Sequence, residues 1–203
     1  MHRRLGLRML KEGPVELPPL RLDHLVTMSG STGMFQHAVW AMPNLNEGYC
    51  TDDITRALTL TVLLEELGLK SPELPRLART YASFIQYAFN PELKRFRNFS
   101  SFDCRWLEEA GSEDSQGHAL WALGACVGRS QRPDLQFWSA RLFEQALPPL
   151  LEARHPRTWA FTLLGICEYS RRFNGNRLAA QARDTLTKRL LRLFDQCVSD
   201  DWP

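Results

Sequence analysis

A chain of 203 residues suits one domain at the usual scale of about 150 residues each, and it is long enough to bury a core of its own. With 25 basic and 23 acidic residues the formal charge is +2, which gives no global signal for nucleic acid or a membrane surface. No segment approaches the roughly 20 apolar residues of a membrane span. The basic N-terminus MHRRLGLRMLKEGP also lacks the continuous apolar run of a secretion signal.

Residues 1–21 read as an N-terminal arm and 22–203 as a single helical domain. Thr51 is placed to cap a first helix from Asp52 to about Leu67, ended by Gly68. Ser71-Pro72 opens a second helix that runs to Asn90-Pro91. Ser112 caps a third helix to about Gly128, and Pro133 starts a fourth that ends near Pro148-Pro149. Pro156 starts a fifth through Tyr169. Asn174-Gly175 breaks the chain, and a sixth runs from about Asn176 to Val198. Strand-like alternation is scarce, so the expected class is all-α.

The helices alternate in character. HALWALGACV (118–127) and TWAFTLLGIC (158–167) are apolar on every side and ITRALTLTVLLEEL (54–67) largely so, which marks helices surrounded by protein. The second, fourth and sixth carry stripes instead. Leu77, Tyr81, Phe84, Ile85 and Ala88 lie on one face of the second, and Leu186, Leu190 and Leu193 on one face of the sixth. Inner helices alternating with outer ones fit stacked helical hairpins, either an open solenoid or a closed (α/α) toroid. No regular repeat recurs, which favours the toroid.

Between the second and third helices ELKRFRNFSSFDCRWLEEAGS (92–112) lacks helical periodicity. Long loops in compact domains are usually functional or disordered, and Phe96, Phe99, Phe102 and Trp106 argue for order. The segment FRNFSSFDCRW is compatible with a short β-hairpin. In a toroid it would fold over the mouth of the central cavity.

LDHLVTMSGSTGMFQHA (22–38), NEGYCTDDITRAL (46–58), RWLEEAGSEDSQGHALWALG (105–124) and PRTWAFTLLGICEYSRRFNGNR (156–177) together resemble the helical domain at the C-terminus of some bacterial group 1 glycosyltransferases. That domain is similar to the six-hairpin glycosidase toroids. The resemblance implies the N-terminal half of a toroid, with about three of six hairpins. It also implies a carbohydrate-active or carbohydrate-binding module, weakly active or inactive on its own. The alternative is a non-enzymatic helical scaffold that mediates protein interaction.

Acidic residues in a first helical turn are favoured by the helix dipole, which accounts for Asp52 and Asp53 as well as Glu113 and Asp114. It does not account for their company. Asp114, His118 and Trp121 stand at i, i+4 and i+7 on one face near the start of an inner helix, with Trp106 and Glu109 just outside it. An aromatic plane beside carboxylates suits a sugar, whose C–H face stacks on indole while its hydroxyls donate to carboxylate oxygens. Glycoside hydrolysis needs two carboxyl groups, and Asp53, Glu109, Glu113 and Asp114 are the candidates. His37, Tyr49, Asp52, Trp106, His118, Trp121 and Trp159 are the expected substrate-binding residues. Structural roles compete with these at His37, Tyr49 and Trp159.

His24 and His155 have no nearby ligand-type partner in sequence, so no metal site is expected, and no nucleotide loop or other cofactor motif is present. Cys50, Cys104, Cys126, Cys167 and Cys197 contain no CxxC, and Cys126 and Cys167 fall in apolar runs. They read as buried thiols in a reducing compartment, here the cytoplasm. The expected partners are a saccharide ligand and a second copy of the chain covering the open toroid edge. That homodimer would form through the fifth and sixth helices and the N-terminal segment.

Overall fold

The computed structural model describes residues 18–199. Most of the expected arm, residues 1–17, and Asp200 to Pro203 lie outside the described residues. The described chain is mostly helical: α1 (Asp23–Thr27), α2 (Thr51–Glu66), α3 (Glu73–Ala88), α4 (Glu113–Arg129), α5 (Pro133–Ala146), α6 (Pro156–Ser170) and α7 (Arg177–Cys197). A 3-10 turn, Pro148–Glu152, follows α5. The six long helices are those expected, within a residue or two at most ends.

Local chemistry explains most of the boundaries. The Ser112 hydroxyl accepts from Ser115 N–H at 3.2 Å, and the Asn176 side chain accepts from Ala179 N–H at 3.0 Å. Pro133 and Pro156 occupy first-turn positions where a missing N–H costs nothing. Gly68, at φ +80°, ends the α2 turn. Thr51 corrects the expectation placed on it. It is the first residue of α2 rather than its cap, and its hydroxyl donates to Arg97 O at 2.7 Å. The capping work passes to Asn98, whose side-chain oxygen accepts from Asp52 N–H at 3.1 Å.

Among the described residues six two-residue strands were not expected from periodicity: β1 (Ala38–Val39), β2 (Met42–Pro43), β3 (Tyr49–Cys50), β4 (Phe89–Asn90), β5 (Arg95–Phe96) and β6 (Phe99–Ser100). They pair antiparallel as β1–β2, β3–β6 and β4–β5, with Tyr49 opposite Ser100 and Phe89 opposite Phe96. The aromatic loop is therefore stitched to the start of α2 and the end of α3. Its tip turns as the hairpin reading foresaw, with Ser100 opposite Trp106 in an antiparallel bridge.

Helix α4 lies at the centre, packed against α2, α5 and α6, while α3 covers α2 and α7 covers α6. Residues Ser115 to Leu120 and Ala122 to Val127 are buried. At one end of the row the first turns of α2, α4 and α6 converge through Asp52, Asp114 and Arg157. At the other end Arg129 bonds both Glu66 and Glu168. These two sets of contacts make α2, α4 and α6 parallel.

Three burial expectations need correction. Only one side of α6 is covered among the described residues: Thr158, Thr162, Gly165, Ile166 and Tyr169 are buried, whereas Leu164 and Cys167 are exposed. Helix α7 buries Ala179, Ala182 and Leu186 and then runs off the core, leaving Leu190 and Leu193 half-buried. All five cysteines are free, but Cys167 and Cys197 are exposed and Cys104 is half-buried, so only Cys50 and Cys126 are buried thiols.

Candidate functional site

The loop fixes the entrance to α2, and α4 fixes the loop. Gln116, buried in the first turn of α4, accepts from Phe96 N–H and donates to Phe96 O, both at 2.7 Å. This double bond holds β5 against α4 as a strand partner would. The Glu108 carboxylate accepts from the N–H groups of Asn98 and Phe99 at 2.8 and 3.2 Å. Asn98 in turn holds Thr51 N–H through its carbonyl and Asp52 N–H through its side chain. Asp52 is thus set by a relay that runs from Glu108 through Asn98.

From this position Asp52 faces α4. Its Oδ1 lies 3.5 Å from His118 Nε2, and Asp114 Oδ2 approaches the same nitrogen at 3.8 Å. One ligating atom from each of the three side chains lies within 4.8 Å of the others. The outer oxygens of both carboxylates meet arginines: Asp114 Oδ1 is 3.1 Å from Arg157 Nε, and Asp52 Oδ2 is 3.5 Å from Arg56. Asp52 Oδ1, Asp114 Oδ1 and both ring nitrogens of His118 are buried without a hydrogen-bond partner. Buried polar atoms are nearly always paired, so this gap marks the place as unusual.

Burial pulls the His118 imidazole below its ordinary value, against the opposing pull of Asp52 and Asp114. Burial also raises Asp52, against the pull of His118 and Arg56. Both shifts disfavour charge. Desolvation therefore outweighs pairing, and at 3.5 and 3.8 Å the contacts are too long for hydrogen bonds.

Aromatic rings wall one side. The Phe161 ring of α6 lies 3.9 Å from the His118 ring between centroids and stacks on Trp121 at 5.8 Å with an interplanar angle of 13°. Arg157 extends over Phe161 at 5.4 Å.

The expected residues divide into two groups. Asp52, Asp114, His118 and Trp121 come together at one end of the helix row. The others are placed elsewhere by contacts of their own. Asp53 pairs with Arg56. Glu113 accepts from Arg154 and His155 N–H at 2.7 and 3.0 Å, tying α4 to the start of α6. Glu109 is exposed and meets Arg97 at 3.1 Å. Trp106 packs on Phe84 and Tyr87 beneath the Arg97 guanidinium.

Tyr49 is buried in the core, stacked on Phe35 at 5.0 Å. Trp159 donates to Ala153 O at 2.7 Å and lies under Arg189, where it joins α6 to the 3-10 turn and α7. His37 is exposed, beside Gln36 at the base of the β1–β2 hairpin. Arg56, Arg157 and Phe161 belong to the site but carried no sequence signal of their own. Arg157, in the first turn of α6, stood inside the PRTWAF stretch without a carboxylate near it in sequence.

The chain matches no protein-family model and no curated protein. Among the described residues no helix is long and apolar enough to cross a membrane.

Proposed function

We propose that the Asp52–Asp114–His118 end of the helix row is a carbohydrate-binding site, in a chain built as part of an (α/α) toroid. The observation that carries the reading is the stacked Trp121–Phe161 pair beside buried, unpartnered polar atoms of Asp52 and His118. Sugars offer both complements, an apolar C–H face and hydroxyl donors. Parallel α2, α4 and α6, each with an outer partner, support the toroid part of the proposal. The five free cysteines support a reducing, cytoplasmic setting.

Hydrolysis by this site would fall to Asp52 and Asp114 rather than Asp53, Glu109 or Glu113, which already serve other groups. Their carboxylate oxygens approach within 4.8 Å, nearer the ~5 to 5.5 Å of retaining glycosidases than the ~6.5 to 9.5 Å of inverting ones. Burial raises Asp52 and suits it to hold a proton for the leaving oxygen. Asp114, oriented by Arg157, would be the nucleophile. Calorimetry and thermal-shift titration with mono- and oligosaccharides test the reading. Stabilisation by a saccharide that is lost in Trp121→Ala and Asp52→Asn supports it, since a native-state ligand raises stability by RT ln(1 + [L]/Kd). No shift with any saccharide overturns it.

The flank of α6 and α7 that is uncovered among the described residues favours a second element of the reading, association with another copy. Leu164, Leu191, Phe194 and Val198 are all exposed on these two helices, and large exposed apolar patches mark interaction surfaces. A copy related by a two-fold axis would cover the flank with the same surface. If no saccharide binds, this flank is what an interaction scaffold would use. Sedimentation at micromolar concentration tests the pairing, and a monomer overturns it.

A further inference from the structure

We propose that Asp52, Asp114 and His118 bind a divalent transition cation of the Zn²⁺ type. Three observations combine. First, the donors converge: Asp52 Oδ1, Asp114 Oδ2 and His118 Nε2 come from three side chains on two helices, with separations of 3.5 Å and 3.8 Å from the imidazole nitrogen. Ligands at about 2.05 Å in a tetrahedral shell stand about 3.4 Å apart. The two separations from the imidazole nitrogen need to contract by only a few tenths of an ångström, and the two carboxylate oxygens, which lie within 4.8 Å of each other, close toward the same spacing.

Second, His118 is 96% buried (4% exposed), and neither of its ring nitrogens has a hydrogen-bond partner, nor has Asp52 Oδ1. A histidine so enclosed is normally satisfied by protein or water. Here Nε2 is aimed into a gap lined by two carboxylate oxygens, all too distant to bond to one another. A cation between them satisfies all three atoms in one step.

Third, the opposite faces of both carboxylates are oriented from behind. Arg157 meets Asp114 Oδ1 and Arg56 meets Asp52 Oδ2, so the inner oxygens remain for the ion. Outer contacts of this kind orient ligands in metal sites. Mixed imidazole and carboxylate donors suit Zn²⁺, Co²⁺ or Mn²⁺ better than thiolate-seeking ions. Three protein ligands leave a fourth position, and the partial exposure of Asp52 and Asp114 opens it to solvent. With the ion seated, Asp52 is a ligand and no longer a proton donor. A sugar would then bind through a hydroxyl on the cation rather than between two free carboxyl groups.

Metal binding by this cluster needs no saccharide, so its test stands apart from the carbohydrate reading. The full chain, stripped with a chelator, is titrated with Zn²⁺ by calorimetry and with Co²⁺ by visible absorption. The expected result is one ion per chain at micromolar affinity or tighter, with Co²⁺ bands of four- or five-coordinate nitrogen and oxygen ligation. His118→Gln and Asp114→Asn should each weaken binding about 100-fold or more, past the roughly 10- to 100-fold of an outer contact such as Arg157→Gln. Circular dichroism of each variant confirms that the helices persist. Should a variant fail to fold, the unmodified chain still decides by the histidine Cε1–H resonance shifted on Zn²⁺ addition. No binding, binding unchanged in His118→Gln, or a near-ultraviolet thiolate band that places the ion on the cysteines overturns the proposal.

Discussion

Gly124 of α4 and Gly165 of α6 meet backbone to backbone: a Cβ on Gly124 would stand 2.1 Å from Gly165 O, and one on Gly165 would stand 2.4 Å from Leu120 O. Gly117 and Gly128 continue the seam, against Thr158 and Glu168. The close approach lets the Phe161 ring reach His118. Gly165→Ala should therefore lower stability by about 3 kcal/mol, the upper range for an overpacked core. Gly175→Ala, with nothing within 4 Å of its new methyl group, should leave stability unchanged or slightly raised. Denaturant melts of the two variants compare them directly, and equal midpoints would refute the close-seam account.

Gln116→Ala removes both side-chain bonds to Phe96 and leaves a buried N–H and a buried carbonyl without those partners. A cost of about 2 to 3 kcal/mol is expected. Native-state hydrogen exchange offers the sharper measurement, because the Phe96 amide should lose protection while amides in the middle of α7 do not.

In the metal-free protein His118 should titrate below 6.5, because burial disfavours the imidazolium. The unfolded chain then binds more protons than the folded one between the folded pKa and 6.5. Stability should accordingly fall as pH drops through that window. His118→Gln should flatten this part of the profile. Asp52→Asn removes an attraction that raises the imidazole, so the His118 pKa should move lower still. NMR titration of the ring protons reads both effects, and a parent pKa above 6.5 would contradict the desolvation argument.

Glu113 extends the same acid limb of the pH profile to lower pH. Burial pulls its carboxyl up, but the Arg154 and His155 N–H bonds outweigh this and hold it below its ordinary value. A depressed folded pKa contributes stability above the unfolded value near 4.5, lost as pH falls through the folded one. Glu113→Gln should cost about 1 kcal/mol at neutral pH, discounted for partial exposure, and less in acid. Chemical denaturation at pH 7 and pH 3 checks the difference.

The long helices were legible because their ends carry local chemistry: Ser112 and Asn176 hydroxyl or amide caps, proline at 133 and 156, glycine at 68. The β pairs were not, since two residues hold no periodicity and Tyr49 meets Ser100 only across a long loop. Amphipathic character identified α3 well, but an all-apolar α6 reads the same whether one flank or two are covered.

At the site, Asp114, His118 and Trp121 were readable from their shared helical face. Asp52 was separated from Asp53 only by helix phase, about 100° per residue, which sequence could not set without knowing where α4 lay. Arg157 and Phe161 come from a helix about 40 residues further along, and tertiary packing alone brings them in. The Glu108–Glu109 pair shows the same limit, with one residue clasping Asn98 and the other in solvent.

The Arg129 clasp also has a mechanical consequence. Its guanidinium holds Glu168 through two bonds at 2.6 and 2.7 Å and Glu66 through one at 2.9 Å. The three rods are thereby pinned at their C-terminal ends, whereas Asp52 and Asp114 at the opposite tips meet His118 only through longer contacts of 3.5 and 3.8 Å. A rod of 17 residues, such as α4, is about 25 Å long. A tilt of ~3° about the pinned end moves its tip by ~1.3 Å on that length. Leverage of this size spans the difference between a gap too wide for a bond and a closed contact.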